Sequence, residues 1–462
     1  MKKSKEELRI EEKKAETRKL SIKEGCSSMT TFGFGDSYIS PYAIALKANN
    51  LQIGFLTSIT SLVPPIFQIV GSNLMEKYKR RKIITIGVTL QALMWIPILL
   101  LSILMWKGIL TSYLPIFLII LYSIYAILGA IAAPAWFSLM GDVIPERIRG
   151  KYFGKRNRIT GAVGISATVM AAFVLDFFKT KGLVLLGFAT IFTIACICRL
   201  IAGRMFTKHY DSPEFKLKDG YYFSFWEFCK KAPGNNFGKF VIYVSLINMA
   251  TAIAGPFFAV YMLEDLKFSY TTFMLINISS GIASFLVFPF LGKISDRYGN
   301  KELLKFGSIL IPFLPILWLF SSSPIYLILL PQLFGGVGWA AFNLAASNFI
   351  YDSVTPQRRA ICISYYNMIN GAGIFIGATI GGILAQFLTI AFMNKLLFVF
   401  LISGILRFII VIFLLPKINE VKKVKKAKSN PILYLKEIRP MRGIIHGLVH
   451  EFGRIRKRAK KK

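Results

Sequence analysis

The sequence is poor in charge. Of its 462 residues 17% are Asp, Glu, Lys or Arg, where a soluble chain carries about a quarter. Acidic residues are scarcest, 23 against 57 basic ones. Cysteine and histidine are nearly absent, at five and three. Cys26, Cys196, Cys198, Cys229 and Cys362 are odd in number and lie mostly in or beside apolar runs, so no disulfide framework is expected and they read as small packing residues. Cys196 and Cys198 are two apart and would face different directions on a helix. His446 and His450 share a helical face without an acidic or cysteine partner, so no metal is expected. No Gly-rich loop ending in Lys-Ser/Thr is present to cradle phosphates. The apolar runs hold no nucleophile–His–acid set, and neither an enzyme nor a cofactor is expected. No apolar run precedes the charged residues 1–24, which argues against a cleavable signal peptide.

What the chain has is apolar length. Hydrophobic residues make up 54%, with 40 Phe and 36 Gly, and the mean hydropathy is +0.55. They fall in runs of roughly 20 or more, enough to cross a ~30 Å hydrocarbon core as helices. The reading is an all-α polytopic membrane protein with twelve transmembrane helices. The spans are placed at about 26–47, 51–75, 83–106, 112–140, 154–178, 183–205, 238–263, 270–291, 302–321, 325–350, 361–388 and 394–415. Lys and Arg concentrate in the tails and in the loops after even-numbered spans. The other loops hold only Lys47, Lys107, Lys179, Lys181, Lys267 and Lys395. This bias predicts a multi-pass protein of the cell membrane with both termini cytoplasmic. It also explains the net charge of +34 without nucleic acid. The expected layout is a basic tail (1–25), a six-helix bundle (26–205), a cytoplasmic linker (206–237), a second six-helix bundle (238–415) and a basic tail (416–462). Within the linker, 221–231 (YYFSFWEFCKK) is too short and polar to span, and fits an interfacial amphipathic helix. The basic segments 422–428 and 454–462 would lie near anionic lipid.

The two bundles resemble each other. Residues 292–301, GKISDRYGNK, form a charged island between apolar runs, and 76–81, EKYKRR, hold the matching place 220 residues earlier. After spans four and ten, Asp142 and Asp352 are 210 apart; so are Arg149 and Arg359, Asn157 and Asn367, and Gly161 and Gly371. Arg199 and Arg407 hold like places in spans six and twelve. Several matches in one order indicate a duplicated six-span unit. With twelve spans in two halves, a long central linker and a G-x-x-x-D-R-x-G-x-K pattern, the chain resembles the major facilitator superfamily over about 26–415. The copy with Gly292, Asp296, Arg297, Gly299 and Lys301 fits closely. In the other copy Ser72, Glu76, Lys77 and Lys79 replace Gly, Asp, Arg and Gly, and Arg81 keeps the last base.

The resemblance implies two pseudo-symmetric bundles that rock about a central site, giving alternating-access transport. It implies a cytoplasmic gate in which Asp296 and Arg297, with Glu76 and Lys77, act as latches. Asp142 with Arg147 or Arg149, and Asp352 with Arg358 or Arg359, are candidate partners. The second copy is expected to carry the larger share of the gate. Charges beside spans often mark topology only.

Asp36 stands apart. It is about ten residues into span one, so roughly 15 Å deep, and is the one acidic residue so placed. Gly33, Gly35 and Pro41 flank it, as in the weakened helices of transporter sites. An ionisable group at this depth is costly unless it meets water or a partner, which favours a role in proton exchange over a structural one. The resemblance puts spans one, four, seven and ten around the cavity, with two, five, eight and eleven beside them. Candidates there are Tyr38, Gln68, Tyr125, Asn157, Tyr243, Asn248, Asn277, Gln332, Trp339, Asn343, Asn367 and Asn370; taken singly, each more often serves an interhelical bond. Arg199 and Arg407 are expected to bond within their own halves. Gly371, Gly373, Gly377 and Gly381, with Gly161 and Gly164, read as close-packing faces. The expectation is a monomeric secondary transporter, proton-coupled through Asp36, an antiporter exporting small amphipathic solutes. An importer or uniporter is the alternative, and a non-transporting sensor is the alternative of another class.

Overall fold

The computed structural model describes residues 5–211, 224–355 and 358–421, and among these it contains helices and no strand. The segments 422–428 and 454–462, His446, His450 and residues 221–223 lie outside the described residues. Span one comprises the end of α1 (Lys5–Phe34), a 3-10 turn (Asp36–Tyr38) and α2 (Ile39–Ala45). Spans two to six are α3 (Asn50–Lys77), α4 (Arg80–Trp106), α5 (Leu114–Val143), α6 (Glu146–Thr180) and α7 (Val184–Phe206). A short helix α8 (Phe225–Lys231) precedes span seven, which is α9 (Asn236–Ala254) and α10 (Phe257–Val260). Spans eight to twelve follow as α11 (Tyr270–Tyr298), α12 with α13 (Asn300–Leu310, Phe313–Leu317), α14 with α15 (Pro324–Leu327, Leu333–Ser353), α16 (Arg359–Phe387) and α17 (Lys395–Leu414). Ten of these spans are long and apolar enough to cross a membrane as near-continuous helices. Spans one and nine do not form such helices.

The interruptions have local causes. At Gly35 the backbone turns out of the helical region (φ −116°, ψ −82°), and the Trp95 ring fills the place a Cβ would take. Gly255 and Pro256 break span seven 220 residues later, at the equivalent point. In span nine, Pro315 has no N–H to offer Ile311 four residues back. The buried Arg407 supplies the donor instead, Nη1 to the Ile311 carbonyl at 3.1 Å. Arg407 thus satisfies a helix break in its own half.

In the first half α4 packs on α7 and α5 on α3; in the second, α12 packs on α15 and α9 on α16. The halves meet along two seams, α3 against α16 and α6 against α11. The face carrying the loops after even-numbered spans is the basic face. There the charged start of α1 docks on the first half. Arg18 donates to the Val143 carbonyl at 2.9 Å, Tyr210 N–H donates to Thr17 at 2.9 Å, and buried Glu24 pairs with Arg156 at 3.0 Å.

Candidate functional site

A cavity of about 960 Å³ lies between the halves. Its walls come from α1, α2, α6, the α9–α10 junction, α11, α13 and α15. Most of the lining is apolar, including Phe258, Phe285 and Trp318, with Ser37, Ser40, Asn157, Asn277 and Gln332 as polar points. At the end away from the basic face the seams are tied. Asp176 of α6 accepts the Tyr270 and Thr271 N–H groups at 2.8 Å each, capping the start of α11. Lys179 donates to the Phe268 carbonyl at 3.3 Å. Across the other seam Asn50 donates to the Ala385 carbonyl at 3.0 Å, and Ser58 bonds the Phe375 carbonyl and Thr379. Gly371 touches Ser61 across that seam, whereas Gly373, Gly377 and Gly381 lie on α9 of their own half. Toward the basic face, Gly161 and Gly281 stand clear of all neighbours.

Asn157, Asn277, Gln332 and Trp339 line the cavity. Tyr38 is buried and donates to the Thr168 carbonyl at 2.6 Å, and Tyr243 is buried against Ser308 at 2.5 Å. Asn248 and Asn370 bond each other across α9 and α16 at 2.7 Å. Gln68 and Asn343 lie on α3 and α15, outside the cavity lining.

Asp36 sits one residue behind the cavity wall formed by Ser37. Tyr122 and Tyr125 donate to its two oxygens at 3.0 and 3.1 Å. Their rings stack at 5.4 Å because residues i and i+3 share a helix face. Tyr122 was not singled out from the sequence. Gln91 donates to the Tyr125 carbonyl at 2.9 Å and accepts from Arg199, which also bonds Ser28 at 3.0 Å. A chain of polar contacts therefore links Asp36 to Arg199 inside the first half. As an ionised carboxylate Asp36 can accept both tyrosine protons. Protonated, one oxygen becomes a donor and one of these bonds must be remade.

At the basic face the charged islands bind within each half. Arg80, buried, bonds Asp142 at 2.7 Å and Asp211 at 2.9 Å, and the Arg81 N–H donates to Asp211 at 3.0 Å. In the second half Asn300 donates to Asp352 at 2.6 Å, and the Lys301 N–H donates to Glu420 at 2.7 Å. Glu76 and Lys77 are exposed. Arg149 donates to the Gly141 carbonyl at 3.2 Å, and Arg297 lies 5.3 Å over the Tyr298 ring. A Cβ on Gly292 would meet open space. Gly299 adopts φ +94°. The Arg359 side chain lies outside the described residues. Asp176, Arg80, Asp211 and Glu420 went unnoticed in the sequence, where acids and bases beside spans read as topology. Among the described residues no group of three His, Cys, Asp or Glu is placed to hold a metal ion.

Three comparisons with known proteins bear on this arrangement. The family model described as Major Facilitator Superfamily matches residues 25–234 and 240–458. An uncharacterised MFS-type transporter of Methanocaldococcus jannaschii is 26% identical over 388 residues, covering 83% of this chain and 95% of that protein. The quinolone resistance protein NorA of Staphylococcus aureus is 25% identical over 149 residues, 32% of this chain and 38% of NorA. Among solved structures, the nucleoside transporter NupG superposes with a TM-score of 0.66 at 18% identity, covering 87% of this chain and all of that one.

Proposed function

The chain belongs to the Major Facilitator Superfamily, and we propose from that premise that it is a proton-coupled secondary transporter whose coupling group is Asp36. The observation that carries this reading is the Asp36 carboxylate at a break in span one, held by two tyrosines one residue from the central cavity. Protonation would exchange the tyrosine bonds and loosen the Gly35 break, which joins the charge state to the packing of α1 on Trp95. With the basic face read as cytoplasmic, the cavity opens inward and the Asp176 cap closes the outer end. Asn277 and Trp339 would touch the solute, while the Asp142 and Asp352 clusters would keep each half rigid as a cytoplasmic gate opens and closes. The apolar, aromatic lining suits amphipathic solutes, and the partial likeness to NorA, a quinolone resistance protein, supports export.

The test is purified protein in vesicles under an imposed pH gradient. Asp36→Asn is expected to lower gradient-driven flux by at least about tenfold, the scale of one lost proton-transfer group, while leaving solute binding in place. Undiminished gradient-driven flux in the variant would sink the assignment.

A further inference from the structure

The two seams between the halves are unlike. Along α3–α16 the backbones touch. A Cβ on Gly54 would fall 2.7 Å from the Ala378 carbonyl oxygen, and one on Gly371 would fall 2.5 Å from that of Ser61. Along α6–α11 the helices are hydrogen-bonded at the Asp176 end, and two glycines nearer the basic face have room beside them. There Gly161 and Gly281, both in the cavity wall, have no atom within 4 Å of a Cβ position. Large apolar groups beside the gap, Ile165, Ile282 and Phe285, are exposed. Room beside two glycines of the cavity wall, next to exposed apolar side chains, leaves a side route between the two spans for an apolar group.

The cavity also carries a sign. Among the described residues in its wall, Arg158 is the one charged side chain. It is exposed, and among the described residues no hydrogen bond or ion pair engages it. It closes the charged run 155–158 (KRNR), and the apolar stretch of span five starts at Ile159, so it stands at the boundary where lipid head groups give way to tails. Asp36, the acid behind Ser37, is occupied by Tyr122 and Tyr125 and does not line the cavity. An unpaired guanidinium beside an apolar cleft with a side route complements one kind of ligand.

We infer that this cavity binds an amphipathic anion, with its acidic head on Arg158 and its apolar tail between α6 and α11, and that the ligand enters sideways from the leaflet at the basic face. Its movement across the membrane rests on the transport reading above; its binding does not.

The experiment uses the full chain in nanodiscs of zwitterionic lipid and three probes with one fluorescent twelve-carbon tail: a carboxylate, the matching amide and the matching trimethylammonium. The carboxylate is expected to bind at least about tenfold more tightly than the cation, the scale of one charge-assisted contact. Arg158→Gln should remove that preference and leave amide binding unchanged. Equal binding of the three probes, or an intact preference in Arg158→Gln, would overturn the site. Butyrate bears the same head but remains in water. It is expected to compete only at concentrations higher by orders of magnitude, given ~0.8 kcal/mol per buried methylene; competition equal to that of the long carboxylate would overturn the amphipathic part. Gly281→Trp fills the gap and should slow association of the long carboxylate, while Gly281→Ala should not; an unchanged rate in the Trp variant would overturn the lateral route. No gradient acts in nanodiscs. Anion binding without gradient-driven flux in vesicles would count against transport and for this site. Flux of cations without anion preference would do the reverse.

Discussion

Arg80 and Asn300 hold equivalent places in the two halves, and they are chemically unlike. Each opens the span after a charged island, and each reaches the acid at the end of the next span, Asp142 or Asp352. The next residue in each half, Arg81 or Lys301, gives its N–H to an acid beyond the sixth span of that half, Asp211 or Glu420. Duplication has kept the wiring and changed the charge. In the first half a buried cation is shared by two carboxylates. In the second a neutral amide makes a single bond, and Ser295 satisfies its other end at 2.5 Å. Neither contact crosses between the halves, so each clamp stiffens one bundle. Under the proposed transport by rocking, rigid bundles would move as units and the contacts to break would be those at the seams, Asp176 with α11 foremost.

The largest expected effect separates the two clamps. Arg80→Ala leaves Asp142 and Asp211 without their shared cation and should cost about 3–5 kcal/mol, as for a buried pair with one partner removed. Asn300→Ala removes one hydrogen bond to a carboxylate and should cost about 1.5–3 kcal/mol. Denaturation of the purified variants in detergent measures the difference. Equal losses would mean that the charge at Arg80 adds nothing to the shared geometry.

The architecture was legible because two physical signals are local in sequence. Apolar runs of span length fix the helices, and the Lys and Arg bias marks one face. The repeat was legible from Asp142 and Asp352, which do sit in matching clamps. Asp36 could be found by its rarity, since few acids are placed mid-membrane. The rest of the site depends on helix rotation, which single residues do not report. Asn248 and Asn370 face each other and consume each other's bonds, while Asn157, of the same residue type, faces the cavity. Arg158 and Asp176 were hidden for another reason. A charge near a span end is usually topological, and only the gap beside one and the helix start beside the other give them a task.

The next comparison concerns the turn before each clamp. Gly299 sits at φ +94°, ψ +169°, a region open in practice to glycine alone. Its counterpart Lys79 is at φ −60°, ψ +134°, which any residue adopts. The second island has therefore kept a glycine that its turn needs, and the first has lost one that its turn does not. Gly299→Ala should cost about 1–3 kcal/mol, and Lys79→Ala should change stability by less than ~0.5 kcal/mol. A Gly299→Ala protein as stable as the parent would show that the second turn can relax into the geometry of the first.

The smallest expected effect is one of pH. His209 and Ile418 are equivalent positions beyond the sixth span of each half, and both are buried. Burial, with the Arg156 charge nearby, pushes the His209 imidazole down to about 4 from 6.5, so the folded protein holds it neutral. A depressed value means that the unfolded chain takes up the proton first as pH falls. The stability it allows is present in full above 6.5 and declines as pH drops toward 4. By linkage the loss is about 1 kcal/mol at pH 6 and about 2 kcal/mol at pH 5. His209→Ile makes the first half like the second and should remove this part of the acid sensitivity while leaving stability at pH 7.5 nearly unchanged. The readout is the difference in unfolding midpoint between pH 7.5 and pH 5 for parent and variant. The same difference in both proteins would place the titrating groups elsewhere, and the two halves would then meet acid alike.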